Sequence, residues 1–403
     1  MPASTAAGGG PDIELLLSAK EIVVACGPGG VGKTTTAAAL AAAAAVRIGG
    51  RVLVVTVDPA RRLGDALGLS GIGNVATKVP GEALVAAGTK PRGELFAAML
   101  DMSESWDALV RRHAPDRRTS EQILSNPLYR NISRRFSTGH DYIAMERLYE
   151  IHEAGDYDLV VVDTPPSRTA LDLLDAPDHM AELFSSRLLR WLTVPYRSRL
   201  VNAASRPFYQ VADRVLGSQL LGDLADFFIL FQTMRDGFVA RAEAVRRLLR
   251  DVRTTFLVVT TLEAVPAWEA QEMIAALAER RLHLGLLVCN KVLPASLSDA
   301  GPARAATILA DRAATVAPGL AEGLATKTAA APETGVVEAV LEEVAQSFSN
   351  FRLVATREAE LYKELSTAHE VTARVGYRAG SITDLPGLLE IGAMIFGGED
   401  VPA

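Results

Sequence analysis

The chain has 403 residues, is 49% hydrophobic, and carries a net charge of −7. Its length is enough for one large α/β domain or two smaller ones with a sizeable core. The acidic balance argues against nucleic acid as a partner. Two cysteines, Cys26 and Cys289, exclude a disulfide framework, and the absence of a C-x-x-C pair argues against a thiolate zinc site within one chain. The N-terminal segment lacks the basic and long apolar stretches of a secretory signal, so a cytoplasmic protein is expected.

Short β-branched runs separated by helical segments predict the architecture. We expect a disordered N-terminal tail over residues 1–19 and a single domain over residues 20–400. The runs are continuous rather than alternating, as in strands buried on both faces, and this pattern predicts an α/β fold with a doubly wound, mainly parallel sheet. These runs cover residues 22–25, 52–57, 159–162, 255–260 and 284–288. Further along, the composition predicts loop or loose helix over 301–331, a helix over 336–366, a last strand over 371–378 and a closing helix over 385–396.

A helical insertion is predicted over about residues 180–250. Residues 180–240 are unusually aromatic, and residues 183–212 contain five arginines but no acidic residue. Such a segment could form an apolar groove for a client protein, or belong to the ordinary core or to a dimer interface. The aromatic residues are Phe184, Trp191, Tyr196, Phe208, Tyr209, Phe227, Phe228, Phe231 and Phe238.

The strongest chemical signal is a phosphate-binding loop (P-loop) of the form G-x-x-x-x-G-K-[ST]. It lies between the first predicted strand and an alanine-rich helix, which is the context that phosphate binding requires. We expect Lys33 to reach the β- and γ-phosphates and the Thr34 hydroxyl to ligate Mg²⁺. The predicted nucleotide-binding residues of the loop are Gly27, Gly29, Gly30, Val31, Gly32, Lys33, Thr34 and Thr35.

Three more polar residues follow predicted strands. In a parallel sheet, ligands bind at the carboxyl ends of the strands, so these side chains are expected near the nucleotide. Asp163 has the position of an acid that orients Mg²⁺ through water, and Asp58 could polarise the attacking water, although either could instead cap a helix or form an Asx turn. Asn290 could hydrogen-bond the adenine edge, although Asn-Lys after a strand is also common in turns.

Together these motifs resemble the arsenical pump-driving ATPases and the guided-entry ATPases that carry tail-anchored membrane proteins. The similarity lies in Gly-Gly-Val-Gly-Lys-Thr-Thr at 29–35, Val-Asp-Pro-Ala at 57–60, Asp-Thr-Pro-Pro-Ser at 163–167 and Cys-Asn-Lys at 289–291. It covers about residues 20–395 and is greatest for the actinobacterial anion-transporting-ATPase-like branch. The resemblance implies a deviant Walker A P-loop NTPase in which Asp58 activates water, Asp163 begins a switch segment and Asn290 recognises adenine. It also implies pairing of two chains with the nucleotides at their interface.

Several positions depart from the family pattern. Pro28 stands where the family has a lysine that reaches the partner's phosphates, and a proline cannot supply that charge. Arg61, Arg62 and Arg168 are candidates for the missing charge stabilisation, unless they are surface arginines that pair with Asp65 or Asp172. Since two cysteines can build neither an arsenite trap nor a zinc clamp, no metalloid activation and no zinc are expected.

The predicted function is an ATPase that uses Mg²⁺ and ATP and works as a nucleotide-switched dimer. Clients would be apolar or membrane-protein segments, and the protein could lie peripheral to a membrane surface. The alternative is a weakly hydrolysing ATP-binding subunit of a heterodimer with a paralogous ATPase, because Pro28 replaces the signature lysine. A small-molecule phosphotransferase is a weaker hypothesis, since no separate acceptor motif is present.

Overall fold

The computed structural model describes residues 13–57, 62–69, 71–100, 102–126, 129, 137–164, 175, 229–230, 232–325, 332–367, 369, 371–378, 380 and 382–397. These residues contain one eight-stranded sheet. Its strands are β1 Ile22–Cys26, β2 Gly50–Thr56, β3 Thr77–Lys78, β4 Gly93–Met99, β5 Leu159–Asp163, β6 Thr254–Thr261, β7 Leu284–Val292 and β8 Thr372–Gly376. The spatial order is β3-β4-β2-β5-β1-β6-β7-β8, and every neighbouring pair is parallel except β3 with β4.

Helices cover both faces of this sheet. They are α1 Ile13–Ser18, α2 Lys33–Arg47, α3 Arg62–Ala66, α4 Gly81–Ala86, α5 Met102–His113, α6 Arg117–Ser125, α7 Ser137–Ala154, α8 Arg235–Arg250, α9 Ala264–Glu279, α10 Ala300–Ala325, α11 Thr334–Thr367 and α12 Leu385–Ile395. One apolar core joins α1–α4 and α12 to one face, and a second joins α7, α8, α9 and the end of α11 to the other. Alternate residues of β1 belong to different cores, since Val23 faces the first and Val24 the second. Burial on both faces explains the continuous apolar runs, and the predicted doubly wound fold is confirmed.

The order of the strands places a binding edge beside β1. The chain leaves β1 toward β2 on one side, with β5 between them, and it later returns to β6 on the other side of β1. Such a reversal opens a crevice at the carboxyl ends of the strands, where α/β proteins bind ligands. The P-loop follows β1 and therefore begins in this crevice.

Two sequence expectations need correction. The disordered tail predicted over residues 1–19 is too long, because Ile13–Ser18 forms a helix and buries Ile13 and Leu17 in the first core. Residues Ala300–Ala325 form one long helix despite the internal Pro318, instead of loop or loose helix. Here Ala317 and Ala321 pack against Val337 of α11, so tertiary contact helps to stabilise a segment whose glycines and prolines disfavour a helix although its alanines favour one.

Most of the predicted insertion lies outside the described residues. Its C-terminal part is α8, whose Val245, Leu248 and Leu249 belong to the second core. Phe238, on the same helix, is 1% exposed. Of the nine aromatic residues counted in this region, Phe238 is the one that the structure describes, and it is a core residue.

Candidate functional site

The P-loop backbone depends on glycine at specific positions. Gly27, Gly30 and Gly32 have φ angles of 143°, 79° and 94°, a region that favours glycine. A Cβ at Gly27 would lie 2.1 Å from the Val259 carbonyl oxygen, and one at Gly32 would lie 2.5 Å from Asn290 Nδ2. At Gly30 a Cβ would meet no atom within 4 Å, because this glycine faces open space. Packing thus sets the loop shape at both ends, while the middle is open to a ligand.

Lys33 begins α2 and turns back over the P-loop. Its side chain is buried, and its Nζ donates a hydrogen bond to the Pro28 carbonyl oxygen over 2.7 Å. Pro28 has no N–H to donate, but its carbonyl holds this ammonium group at the loop. The positive charge of Lys33 and the N-terminus of α2 therefore lie at the same place, which favours an anion.

Asp163 ends β5 at the centre of the crevice. In register it lies between Ala25 of β1 and Thr56 of β2, and it is fully buried. Its Oδ2 accepts hydrogen bonds from Thr34 Oγ1 over 2.7 Å and from Thr56 Oγ1 over 2.9 Å. A carboxylate beside a threonine hydroxyl is the oxygen chemistry that Mg²⁺ binds, so the residues here fit that ion.

The end of β7 fastens the P-loop from the other side. Asn290 Nδ2 donates to the Val31 carbonyl oxygen over 2.7 Å, and Asn290 Oδ1 accepts from the Lys291 backbone N–H over 2.9 Å. Lys291 has a φ of 60°, an uncommon conformation for a non-glycine residue, and its Nζ donates to the Gly30 carbonyl oxygen over 3.1 Å. Asn290 therefore lies beside the nucleotide loop, while both ends of its amide bind backbone. Its role in adenine recognition stays a prediction.

A cleft of about 810 Å³ opens beside these groups. Its walls come from the P-loop, α3, Thr164, the end of β7, and the segment that follows β8. This last segment contributes Tyr377 and Arg378, for which sequence reasoning gave no role. Arg378 forms an ion pair with Glu390 of α12, and Tyr377 is 58% exposed. Since β8 lies beside β7 in the sheet, its carboxyl end reaches the same edge, and that adjacency is absent from the sequence pattern.

Some predicted site residues are not placed by the structure. Asp58, Arg61 and Arg168 lie outside the described residues, and of Arg62 only the backbone is described, at the start of α3. Their assignments remain predictions.

Both cysteines are buried and free, and burial raises the pKa of each thiol to about 12. Cys26 Sγ lies 3.6 Å from the Leu257 carbonyl oxygen within the sheet. Their interpretation as small buried hydrophobic residues is therefore confirmed. Among the described residues, no group of three or more His, Cys, Asp or Glu is placed to hold a metal ion.

The site geometry agrees with what similarity to known proteins shows. A family model described as anion-transporting ATPase (ArsA ATPase) matches residues 20–307. The chain belongs to this family. It is 24% identical over 287 residues to the ATPase GET3 of Malassezia globosa, covering 70% of this chain and 76% of the relative. It is 27% identical over 293 residues to the ATPase GET3C of Arabidopsis thaliana, covering 68% and 67%, respectively.

A bacterial relative has a higher identity over a shorter aligned stretch. An uncharacterised protein of Streptomyces coelicolor is 32% identical over 273 residues, covering 66% of this chain and 61% of the relative. The predicted family and the P-loop ATPase class are thus confirmed, and such ATPases in general use ATP with Mg²⁺. Within the described part of the chain, no helix is both long and apolar enough to cross a bilayer.

Proposed function

We propose that this chain binds ATP with Mg²⁺ in the cleft beside β1 and hydrolyses it, working as a nucleotide-switched dimer. The observation that carries the proposal is the arrangement of Lys33, Thr34 and Asp163 at the switch point of the sheet. Lys33 lies on the P-loop, and Thr34 and Asp163 are joined by a 2.7 Å hydrogen bond although they are 129 positions apart. This set combines a cation for phosphate with oxygen ligands for a metal.

Each residue has a distinct role in this proposal. Backbone N–H groups of residues 29–35 bind phosphate oxygens, and Lys33 exchanges the Pro28 carbonyl for the β- and γ-phosphates. Thr34 would hold Mg²⁺ directly and Asp163 through water. The ion would neutralise charge on the phosphates. Asp58 positions the attacking water, while Arg61, Arg62 and Arg168 are candidates to stabilise the developing charge.

The base would lie toward the β7 and β8 end of the cleft. Asn290 borders the P-loop there, and Tyr377 offers an exposed aromatic ring on the adjacent segment. Stacking on an aromatic ring is a common way to bind a base. This placement adds Tyr377 to the binding residues inferred from the sequence.

Pro28 supports a second candidate function, in which the chain is a weakly hydrolysing subunit of a heterodimer with a paralogue. Proline cannot provide the lysine that the family resemblance implies at this position. Against this candidate, Lys291 brings a second ammonium group to the rim of the same loop, 3.1 Å from the Gly30 carbonyl oxygen. A cation from this chain is thus available without a partner. We therefore favour a hydrolysing homodimer over the heterodimer subunit.

The proposed client is an apolar or membrane-protein segment, bound by the aromatic insertion, with the protein peripheral to a membrane. This part rests on the composition of residues 180–240 and on the family resemblance. Hydrogen exchange over those residues, with and without nucleotide, tests it, because an opening groove requires protection that changes with nucleotide state.

ATP binding and turnover of three purified chains test the central proposal. Lys33→Gln removes the phosphate cation, and Lys90→Gln, an exposed lysine after α4, is the matched control. We expect Lys33→Gln to lower kcat/KM about 100-fold, equivalent to about 2.7 kcal/mol of lost transition-state stabilisation, and the control to match the wild type. A homodimeric enzyme would also gain specific activity with concentration.

Two other outcomes would refute the proposal or favour the second candidate function. Failure of the wild type to bind Mg²⁺ with ATP refutes the proposal. Tight binding without turnover at any concentration favours the heterodimer subunit instead, and adding the paralogue should then restore hydrolysis.

A further inference from the structure

β7 gains one residue relative to β8 just before it ends. Their pairing runs regularly to Cys289 and resumes at Val292, three residues further along β7 but only two further along β8. An extra residue of this kind bends a strand and turns its side chains in a new direction. The residues inside this β7 bulge are Asn290 and Lys291. The irregularity therefore lies at the two residues of β7 that contact the P-loop.

Lys291 has a backbone conformation that neighbouring contacts must hold. Its φ of 60° lies in the left-handed region, which persists at a non-glycine residue only where the surroundings fix it. In this conformation the Lys291 ammonium group reaches the Gly30 carbonyl oxygen. On the N-terminal side the bulge is held by Asn290, whose amide bonds both the Val31 carbonyl oxygen and the Lys291 N–H.

Two hydrogen bonds hold the chain on the C-terminal side of Lys291. The Tyr377 N–H donates to the Val292 carbonyl oxygen over 2.8 Å, a bond between backbone groups that does not depend on side-chain identity. The Leu293 N–H donates to Glu358 Oε2, also over 2.8 Å. This second bond depends on one carboxylate, which comes from α11. Glu358 is therefore the side chain that supports this end of the bulge.

The surroundings of Glu358 give its carboxylate no ion pair. It is half-buried, and within the described part of the chain no lysine, arginine or histidine pairs with it. Burial raises the pKa of Glu358, the bond from Leu293 opposes that rise, and the negative charge of Glu263, just before α9, adds to it. A half-buried carboxylate without a cation depends on hydrogen bonds for compensation. The bond to the Leu293 backbone supplies one.

α11 presents this carboxylate from a fixed position. Leu361 and Leu365 pack into the second core of the domain. One turn after Glu358, the Tyr362 hydroxyl lies 3.2 Å from Thr372 Oγ1 of β8. Residues four apart lie on the same face of a helix, so one face of α11 contacts the ends of both β7 and β8. A side chain on such a packed element can hold a neighbouring segment precisely.

We propose that Glu358 is a positioning residue for the nucleotide site, which holds the end of β7 so that the Lys291 ammonium group lies at the P-loop. This role rests on the proposed function, because it concerns bound phosphates. Glu358 does not line the described cleft, so it acts through Lys291 and does not touch the ligand. The expected sign is opposite to that of simple electrostatics. Loss of a nearby carboxylate alone would strengthen the binding of an anion, whereas loss of the support for Lys291 weakens it.

Three substitutions separate the charge of Glu358 from its reach. Glu358→Gln keeps an acceptor oxygen at the same distance and removes the charge. Glu358→Asp keeps the charge and shortens the side chain by one methylene, and Glu358→Ala removes both. Without nucleotide, the Leu293 amide should exchange its hydrogen at least about tenfold faster in Glu358→Asp and Glu358→Ala, and within about threefold of the wild-type rate in Glu358→Gln. Equal exchange rates in all four proteins overturn the proposal.

ATP titration in the presence of Mg²⁺ tests the effect on the site. Glu358→Ala and Glu358→Asp should raise the dissociation constant about threefold to tenfold, because the bulge then has its binding conformation only part of the time. Glu358→Gln should stay within about twofold of the wild type. Glu360→Ala, at an exposed glutamate of the same helix, is the matched control and should also match the wild type. Unchanged or tighter binding in Glu358→Ala, or equal losses in Glu358→Gln and Glu358→Ala, overturn the proposal.

A double-mutant cycle tests whether Glu358 acts through Lys291. Lys291→Met removes the ammonium group and should weaken ATP binding at least as much as Glu358→Ala. In the Lys291→Met background, Glu358→Ala should then add less than about twofold. Additive losses refute the positioning role. A wild type that does not bind ATP with Mg²⁺ refutes the proposed function and this role with it, whereas a wild type whose affinity Glu358→Ala leaves unchanged refutes this role alone.

Discussion

Two threonines offer a matched test of how the metal would be held. Thr34 and Thr56 donate to the same oxygen of Asp163, over 2.7 Å and 2.9 Å. Thr34 lies at the start of α2 and lines the cleft, whereas Thr56 is fully buried at the end of β2. Replacing each by valine keeps the side-chain shape and removes one hydroxyl. The two variants therefore change the same carboxylate in the same way, but only one removes a proposed Mg²⁺ ligand.

The expected magnitudes separate structure from function. A hydrogen bond to a charged group contributes about 1.5–3 kcal/mol, so without ligand each variant should lower the free energy of unfolding by an amount within or just below that range. Thr34→Val should lie at the lower end, because Thr34 is partly exposed and water can replace the lost donor. The Mg²⁺-dependent gain in ATP affinity should then fall at least tenfold in Thr34→Val, about 1.4 kcal/mol, and change less than about threefold in Thr56→Val.

Denaturant unfolding and calorimetric ATP titration, each with and without Mg²⁺, give these quantities. Equal losses of Mg²⁺-dependent affinity in the two variants would show that the effect comes from the lost hydrogen bond to Asp163 and not from the loss of a Mg²⁺ ligand. Full retention of the Mg²⁺ effect in Thr34→Val would refute the assignment of Thr34 as a ligand.

Two further predictions concern the loop and the opposite end of the sheet. Gly32→Ala places a Cβ 2.5 Å from Asn290 Nδ2 at a φ of 94°, so it should destabilise the fold by about 2 kcal/mol and weaken ATP binding at least tenfold; an unchanged melting temperature and affinity would contradict this. Glu21 has a pKa below its usual 4.5 because His152, 2.7 Å away, and Arg253 hydrogen-bond its carboxylate. The ionised form is thus favoured in the folded state, so its contribution to stability is present above pH 4.5 and is lost as the pH falls through the lowered pKa. Arg253→Gln should make the loss of stability below pH 4.5 shallower, as measured by unfolding across that range, and an identical pH profile would refute it.

The sheet could be predicted from the sequence where burial on both faces left continuous apolar runs. β1, β2, β5, β6 and β7 are such strands. β4 was not predicted, because its sequence GELFAAM mixes polar and apolar residues, and four of its seven positions are only partly buried. Its place follows from pairing with β2 instead. α10 was likewise not predicted, because its alanines and glycines show little hydrophobic periodicity. The packing of α10 on α11, which helps to stabilise this helix, cannot be read from the sequence.

The P-loop could be identified from local spacing, since its glycines, lysine and threonine act within one turn of chain. The long-range hydrogen bonds that hold the P-loop and Asp163 in place could not be predicted from that spacing. Asn290 and Val31 are 259 positions apart, and Thr56 and Asp163 are 107 apart. Only the strand order brings them together, and that order is a property of the whole sheet. The positive φ of Lys291 also has no sequence signature, since lysine does not favour that conformation.

The two lysines at the loop bear on how a chain with Pro28 could still bind triphosphate. Lys33 and Lys291 both donate to loop carbonyls, those of Pro28 and Gly30. A carbonyl is a neutral acceptor, whereas a phosphate is anionic, so Coulomb attraction adds to the hydrogen bond when an ammonium group binds phosphate. When phosphates enter as proposed, both lysines can exchange a weaker acceptor for a stronger one while their carbonyl partners remain within reach of water. In the proposed function, Lys291 at the end of β7 would therefore supply, from the same chain, the charge that the family resemblance implies at position 28.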